Sequence, residues 1–247
     1  MDFTLRKKPA LRGLMAAPDG LIRLNLGCGL QTPRGWVNID GSWNARLAKF
    51  PNLRKIAAAV HLLSSDKAAI PWSSNVFIHD IRKPLPFADG SVSAVFASHV
   101  LEHLYRVEAQ QLIRESLRVL CSGGILRLIV PDLQAIVEEY CTRRRQDQSQ
   151  GDSQSPADVL NQRLLMRDPS PPKRNFLSRI YDSLNDFHSH KWMYDAQSLT
   201  TLLLSAGFTD IQRKTSGDSL IENIAAVEDP SRILNGVCIE ARKPALP

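Results

Sequence analysis

Two groups of histidines have side chains that can do chemistry. His99 and His103 flank Glu102 in the pattern H-x-x-E-H, and His188 and His190 lie together further along the chain. A histidine with a pKa near neutrality can accept a proton from a hydroxyl group. We therefore take His99, His188 and His190 as candidate catalytic bases. The alternative for each is a hydrogen-bonded structural imidazole.

The pattern H-x-x-E-H also occurs in inverted zinc peptidases, where two histidines on one helix face bind the metal and the glutamate acts as base. Five-residue patterns of this kind often arise by chance. The preferred interpretation is that Glu102 and His103 brace a helix and that no metal is bound. A zinc hydrolase using His99, Glu102 and His103 stays as an alternative function.

A second chemical feature is the sequence LIRLNLGCGLQTPRGWVNID at residues 21–40. It predicts a buried strand, a glycine turn and a second strand that ends at Asp40. Gly27 and Gly29 allow the backbone to turn sharply against a ligand. A carboxylate at the tip of the second strand can accept hydrogen bonds from the two hydroxyls of a ribose. The segment therefore predicts a nucleoside site.

Strands alternate with helices along the chain, which predicts a parallel, doubly wound α/β sheet with helices on both faces. The periodicity predicts a helix over 99–120 with one apolar face. Ligands of such sheets bind at the carboxyl ends of the strands. Several polar or glycine positions fall at or just past predicted strand ends: Gly27, Asp40, Asp80, Ser98 and Asp132.

The remaining segments predict one domain with additions. Residues 1–20 are expected to form an N-terminal arm, and residues 21–247 a single domain with insertions at about 41–75 and 133–190. A helix is predicted over 45–63 in the first insertion, and the second is expected to be a helical lid. After it we predict a helix that begins at an Asp195 cap and ends at Gly207, followed by strands over 209–215 and 236–242.

Composition limits the class of protein. The chain has 247 residues, a formal net charge of +6 and a pI of about 9.3. Its basic residues are not interleaved with aromatic ones, so we expect no nucleic-acid partner. The four cysteines form no C-x-x-C pair, which favours free thiols in a reducing compartment. With no leader and no membrane span apparent, we expect a cytoplasmic protein; the oligomeric state is not indicated.

Taken in order, several motifs make the chain resemble the class I S-adenosylmethionine-dependent methyltransferases, in particular the small-molecule group related to the ubiquinone and menaquinone methyltransferases. The resemblance spans most of residues 21–242. Its motifs are LNLGCG at 24–29, GWVNID at 35–40, PLPFADGS at 84–91, SHVLEHL at 98–104, RVLCSGG at 118–124, VPD at 130–132 and SAGF at 205–208. It implies a Rossmann-like, seven-stranded sheet whose last strand is antiparallel.

The resemblance also implies a site for S-adenosylmethionine. Asp40 would bind the ribose, and Asp80 with Ile81 would bracket the adenine. The first motif would pass along the methionine part, and the cofactor-binding residues expected around it are Asn25, Leu26, Gly27, Cys28, Gly29 and Ser98. Asn25 and Gln31 depart from the family pattern, which has an acidic residue and a third glycine there.

The function that follows is methyl transfer from S-adenosylmethionine to a small molecule or glycan. No N-P-P-[YF] run follows the fourth strand, so we expect oxygen rather than an exocyclic amine to be the acceptor atom. His99 would face the methyl group, and the segment with His188 and His190 would border the acceptor. Some relatives hold magnesium near this helix, which leaves a metal interpretation open. A non-catalytic nucleoside-binding protein of the same fold is a further alternative.

Overall fold

The computed structural model describes residues 20–50, 52, 71–146, 154–165, 189–234 and 236–245. Its strands form one seven-stranded sheet in the order β3-β2-β1-β4-β5-β7-β6. The strands are β1 Arg23–Leu26, β2 Val37–Asp40, β3 Val76–Ile78, β4 Val92–Ser98, β5 Leu120–Pro131, β6 Thr209–Arg213 and β7 Gly236–Arg242.

Six α-helices and two 3₁₀ turns are seen in this part of the chain. The helices are α1 Trp43–Ala48, α2 Arg106–Val119, α3 Leu133–Gln146, α4 Pro156–Leu164, α5 Ala196–Ala206 and α6 Pro230–Ile233, and the 3₁₀ turns are Leu101–His103 and Ile224–Ala226. None of these helices has the length and apolar composition that crossing a bilayer requires.

Strand pairing confirms the predicted fold class. β1 to β5 pair in parallel, whereas β7 is antiparallel to both of its neighbours, β5 and β6. Side chains alternate between the two faces of the sheet. On one face Val95 belongs to the main hydrophobic core with Leu112 of α2 and Leu199 of α5, and on the other Phe96 packs in a second cluster with Trp36. Both faces are therefore covered, as a parallel sheet requires.

The start of the helix that was predicted over 99–120 is wrong. His99 has a left-handed backbone, with φ 55°, and its N–H donates to Ile129 O at 2.8 Å, so the chain there still follows the neighbouring strand. The 3₁₀ turn Leu101–His103 follows, and α2 begins only at Arg106, where Glu108 Oε2 accepts from Tyr105 N at 2.9 Å. Local strand pairing thus prevails over the helical periodicity of the apolar residues.

Outside the sheet, the structure describes only parts of the predicted insertions, and only these parts can be compared with the predictions. The first insertion contains α1, which begins earlier than predicted because the Ser42 hydroxyl caps it by accepting from Ala45 N at 3.2 Å. The second contains α3 and α4. The division into an arm over 1–20 and one domain with two insertions stays a prediction, because residues 1–19 and much of both insertions lie outside the described residues.

On the face of the sheet that carries Phe96, a buried arginine joins strands β5 and β7 to the loop between β6 and β7. Arg127 on β5 is 0% exposed. Its guanidinium donates to Glu228 Oε2 at 2.6 Å and to Glu240 Oε1 at 2.9 Å, and also to the carbonyls of Thr215 and Asp218. Both carboxylates are buried too. One cation therefore neutralises two buried anions and anchors the loop that precedes β7.

Replacing Asp195 by alanine is expected to destabilise the fold by about 1 kcal/mol, the typical cost of losing an N-cap. Asp195 Oδ1 accepts from Ser198 N at 2.7 Å, and Ser198 Oγ accepts in return from Asp195 N at 3.0 Å. Urea denaturation measures the loss, and Asp195→Asn, which keeps an acceptor oxygen, is the control. Equal stabilities of the alanine variant and the wild type would show that the cap contributes nothing.

Candidate active site

Five of the predicted functional residues line a cleft at the carboxyl ends of β1, β2 and β4. Its volume is about 160 Å³, and it is lined by Gly27, Asp40, Gly41, Ser42, Asp80, Ile81, Arg82, His99, Val100, His103 and Leu104. This is the edge of the sheet where parallel α/β folds bind their ligands. The position therefore makes the cleft the candidate site for a small-molecule ligand.

The turn after β1 can be built only with glycine at its first bend. Gly27 has φ 62°, and a Cβ there would lie 2.5 Å from Cγ2 of Val100. Gly29 also has positive φ, 54°. Between them, Cys28 N donates to Ile39 O at 3.0 Å and fixes the turn against β2. The backbone is thereby held at the mouth of the cleft with no side chain in the way.

The Asp40 carboxylate is held in place at the tip of β2. It is 7% exposed, and its two oxygens accept from Gly29 N at 3.0 Å and from Ser42 N at 2.8 Å. Each carboxylate oxygen can accept a further hydrogen bond. Next to it, a Cβ at Gly41 would lie 2.5 Å from His79 O, so only glycine lets β2 and β3 approach this closely. Asp40 is thus a fixed acceptor that faces the cleft.

Asp80, just past β3, presents a second carboxylate. Arg82 donates to it from Nε at 2.9 Å and from Nη2 at 3.0 Å, and this hydrogen bonding holds the pKa of Asp80 below its ordinary value. Asp80 is therefore ionised at neutral pH. Ile81 lies between these two residues and supplies an apolar wall of the cleft.

Not every residue expected at the site lines the cleft. Gly27, Asp40, Asp80, Ile81 and His99 do, whereas the following do not: Asn25, Leu26, Cys28, Gly29 and Ser98. Leu26 is part of the main core, and Asn25 braces the turn by donating to Gln31 O at 2.9 Å and to Asn38 Oδ1 at 3.0 Å. The acidic residue that the family pattern places at position 25 is thus replaced by a buried amide with partners of its own.

Other lining residues were not expected from the sequence. They are Gly41, Ser42, Arg82, Val100, His103 and Leu104. Each directly follows, or lies within a few positions of, an expected residue. The sequence signal that could have found them is proximity to a strand end, because the chain there must run along the cleft before it leaves the sheet.

The H-x-x-E-H segment does not form the helix that a peptidase site requires. The left-handed residue His99 and the 3₁₀ turn Leu101–His103 replace it, so the two histidines do not share a helix face. Instead, the carboxylate of Glu102 is 0% exposed, with Oε1 at 3.0 Å from His99 Nδ1. The geometry therefore does not support the zinc-hydrolase alternative.

His190 is brought to the same place by backbone hydrogen bonds. Lys191 N donates to Glu102 O at 2.6 Å, and the rings of His103 and His190 lie with centroids 5.0 Å apart. His190 is buried, and burial lowers the pKa of its ring, an effect that the Glu102 carboxylate opposes. His188 lies outside the described residues, and its catalytic role stays a prediction.

Thiol reactivity offers a test of the turn after β1. Burial raises the pKa of Cys28 and of Cys238 to about 12, whereas Cys141 is exposed. Since the thiolate is the reactive form, we expect an aromatic disulfide reagent at pH 8 to modify Cys141 first, and Cys28 and Cys238 only after unfolding. Cys141→Ser should remove the fast phase. Rapid labelling of Cys28 in the native protein would show that the turn is open.

Comparisons with known proteins bear on the identity of the fold. Residues 24–128 match a family model described as "Methyltransferase domain". A sequence search of curated proteins found no match. The matched segment runs from the glycine turn through Asp40, Asp80 and His99 and ends within β5.

Solved structures with similar folds have low sequence identity to this chain. A possible exported protein from Bordetella parapertussis is 16% identical with a TM-score of 0.46, covering 96% of this chain, which spans 65% of that protein. A SAM-dependent methyltransferase from Archaeoglobus fulgidus is 14% identical with a TM-score of 0.45, over 95% of this chain and 90% of the other. Human N-acetylserotonin methyltransferase is 17% identical with a TM-score of 0.40. The similarity covers 91% of this chain and 48% of that protein.

The TM-scores of these three structures are all below 0.5. The domain match and the sheet itself are more informative. A parallel sheet in the order 3-2-1-4-5 is extended by the antiparallel pair 7-6, and the cleft at its carboxyl edge offers the glycine turn and carboxylates that a nucleoside requires. Residues 24–128 therefore match a methyltransferase domain with S-adenosylmethionine as its cofactor, in a sheet with the strand order expected for a class I enzyme.

Proposed function

We propose that this methyltransferase transfers the methyl group to an oxygen atom of a small molecule or glycan, with His99 as the proton acceptor. The observation that carries the proposal is the pairing of His99 with Glu102. His99 lines the cofactor cleft with 28% of its side chain exposed, and the fully buried Glu102 carboxylate lies 3.0 Å from its Nδ1. A carboxylate there favours the tautomer with the proton on Nδ1.

In that tautomer Nε2 has the free lone pair. The acceptor oxygen attacks the methyl carbon, the carbon–sulfur bond breaks, and its electron pair stays on the sulfur of S-adenosylhomocysteine, while the hydroxyl proton moves to Nε2. Nε2 lies 3.3 Å from Arg232 O, so the protonated ring can donate to that carbonyl. Much of the rate would come from positioning in line with the sulfonium. The left-handed backbone of His99 is a strain of the kind found at functional sites.

His99 suits this role better than His190. Catalysis requires contact with the acceptor, and His190 is only 6% exposed. It does not line the cofactor cleft, whereas His99 does.

A second cavity supports a polar acceptor. It has a volume of about 540 Å³ and is lined by Arg106, Gln110, Trp192, Tyr194, Asp195, Gln197, Ser198, Thr201, Leu202 and Ser205. An aromatic ring among amide, hydroxyl and guanidinium groups is a lining that can hydrogen-bond to and stack against a sugar. Arg106 already lies over the Trp192 ring at 5.3 Å. We therefore propose a glycan or another polyhydroxylated molecule as the acceptor.

Release of S-adenosylhomocysteine across a panel of sugars and phenols tests the proposal. We expect turnover with a hydroxyl acceptor and a kcat for His99→Gln that is about 10²- to 10⁴-fold lower, the usual contribution of a general base. Cofactor affinity should change little. The control is His79→Gln, a histidine outside the cleft lining. Full activity of His99→Gln, or methylation only of amines, would contradict it; tight cofactor binding without turnover on any acceptor would favour a non-catalytic binding protein.

The cellular location is proposed from the cysteines. All four are free thiols, and Cys121 and Cys141 are at least partly accessible. Free thiols of this kind persist in reducing compartments. This supports a cytoplasmic protein.

A further inference from the structure

Glu102, His103 and His190 form a cluster beside the cofactor cleft. One ligand atom from each residue can be chosen so that all three lie within 4.8 Å of one another. Ligands around a tetrahedral zinc ion with bonds of about 2.1 Å are about 3.4 Å apart. A closing movement of the three side chains by about 1 Å would therefore bring them to coordination distance.

Buried polar atoms without hydrogen bonds are concentrated at this cluster. Within the described residues six such side-chain atoms are found, and four of them are both carboxylate oxygens of Glu102, Nδ1 of His190 and the hydroxyl of Tyr194. Glu102 Oε1 lies 3.0 Å from His99 Nδ1, whereas no hydrogen-bond partner is seen at Glu102 Oε2 within the described residues. A buried carboxylate without good hydrogen bonds is costly unless a cation compensates its charge. The cluster thus favours an occupant that brings positive charge or hydrogen-bond donors.

The two imidazoles each have a ring nitrogen that a metal ion could use, and His103 is held as metal-binding histidines usually are. The second ring nitrogen of a metal-binding histidine is typically hydrogen-bonded to a carbonyl or carboxylate, which fixes the tautomer. His103 Nδ1 lies 3.4 Å from Ser189 O. Nδ1 of the buried His190 ring has no hydrogen-bond partner in the part of the chain that the structure describes. In His190 the nitrogen without a partner is therefore the one available to an ion.

We infer that Glu102, His103 and His190 bind a divalent transition-metal ion at the edge of the cofactor cleft. Two imidazoles and one carboxylate suit Zn²⁺, Fe²⁺ or Mn²⁺, whereas Mg²⁺ prefers oxygen ligands. This differs from the expectation that no metal is bound. It also differs from the peptidase pattern, because the second histidine ligand is His190 and not His99. The ion's role rests on the proposed function: His103 also lines the cofactor cleft, so an open coordination position would bind the acceptor oxygen and ease its deprotonation.

Metal content tests the inference without any assay of activity. The full chain is purified without an affinity tag that binds metal, stripped with a chelator and titrated with Zn²⁺ and Mn²⁺ by calorimetry, with Mg²⁺ as comparison. We expect one equivalent of Zn²⁺ or Mn²⁺ to bind and to raise Tm, and Mg²⁺ to bind more weakly. An unchanged Tm and no binding of Zn²⁺ or Mn²⁺ would overturn the inference and leave a water molecule as the occupant of the cluster.

Variants locate the ion. His190→Ala and Glu102→Gln should each weaken Zn²⁺ binding by more than the 10- to 100-fold that loss of a supporting group costs, and His79→Gln should leave it unchanged. Glu102→Gln also removes a buried charge, so we expect its metal-free form to be no less stable than the metal-free wild type. Equal Zn²⁺ affinity in wild type and in both cluster variants would place the ion elsewhere and contradict the inference.

The outcomes separate this inference from the proposed function. Turnover that persists in excess chelator, with no bound metal, would contradict the metal site and leave O-methylation standing. Stoichiometric Zn²⁺ binding with methyl transfer only to amines would contradict the proposed acceptor and leave the metal site standing. Cofactor binding should be unaffected by the chelator in either case, since Asp40 and Asp80 are not ligands.

Discussion

Replacing Asp40 by asparagine is expected to lower the affinity for S-adenosylhomocysteine by about 10- to 150-fold. Loss of a hydrogen bond to a charged acceptor costs about 1.5–3 kcal/mol, and the ribose hydroxyls would lose such an acceptor. The amide would also turn an N–H group towards one of two backbone donors, because the Asp40 oxygens accept from Gly29 N and Ser42 N. Isothermal titration calorimetry measures the change.

The control for this prediction is Glu222→Gln. This variant also replaces a carboxylate with an amide, but on a side chain that is 86% exposed and lies outside the cleft lining. Its variant should bind the nucleoside as the wild type does. Thermal denaturation of Asp40→Asn should show a folded protein. Unchanged affinity in folded Asp40→Asn would mean that this carboxylate does not hold the ribose.

Replacing Arg127 by methionine should have the largest effect on stability, about 3–5 kcal/mol, the usual cost of removing one partner of a buried ion pair. The change leaves Glu228 and Glu240 buried without their cation and releases the carbonyls of Thr215 and Asp218. We expect a large fall in the urea midpoint. A loss of this size is a large part of the stability of a typical domain.

Two variants show what the arginine contributes. Arg127→Lys keeps the charge but loses the planar fork, so its stability should lie between those of wild type and Arg127→Met. Arg143→Met breaks a pair whose side chains are 41% and 29% exposed, and should cost at most about 1 kcal/mol. If Arg127→Met were no more destabilising than Arg143→Met, the buried network would not be holding the loop to the sheet.

Elements with local signals could be predicted closely from the sequence. Strand β7 has the predicted bounds, and α5 begins after its Asp195 cap and ends at Gly207, whose φ of 100° suits glycine. The Asp195 N-cap and the Gly207 C-cap each act within one turn of a helix end, so both can be recognised from the local sequence. The start of α2 was mispredicted because Val100, Leu101 and Leu104 follow a helical period although the chain there is still paired to β5 through His99 N.

The cleft lined by Asp40 and Asp80 was predictable in outline because the carboxyl ends of parallel strands meet at one edge of the sheet. Asp40 and Asp80 could be placed there by counting from the strands. The partners of Glu102 were not predictable, because His190 is brought to it by tertiary hydrogen bonds, such as those that Lys191 N and Trp192 N donate to Glu102 O. The particular subgroup related to the ubiquinone and menaquinone methyltransferases stays a prediction, since neither the fold nor the cleft separates it from other members of the class.

A crystal structure of the full chain with S-adenosylhomocysteine is the most direct test of the central claim, that the cleft at the carboxyl ends of β1, β2 and β4 holds the cofactor. We predict the ribose hydroxyls within hydrogen-bond distance of the Asp40 carboxylate, the adenine beside Asp80 and Ile81, and the sulfur between Gly27 and His99. A nucleoside bound elsewhere, such as in the cavity between Arg106 and Trp192, or no bound nucleoside at millimolar concentration, would contradict it.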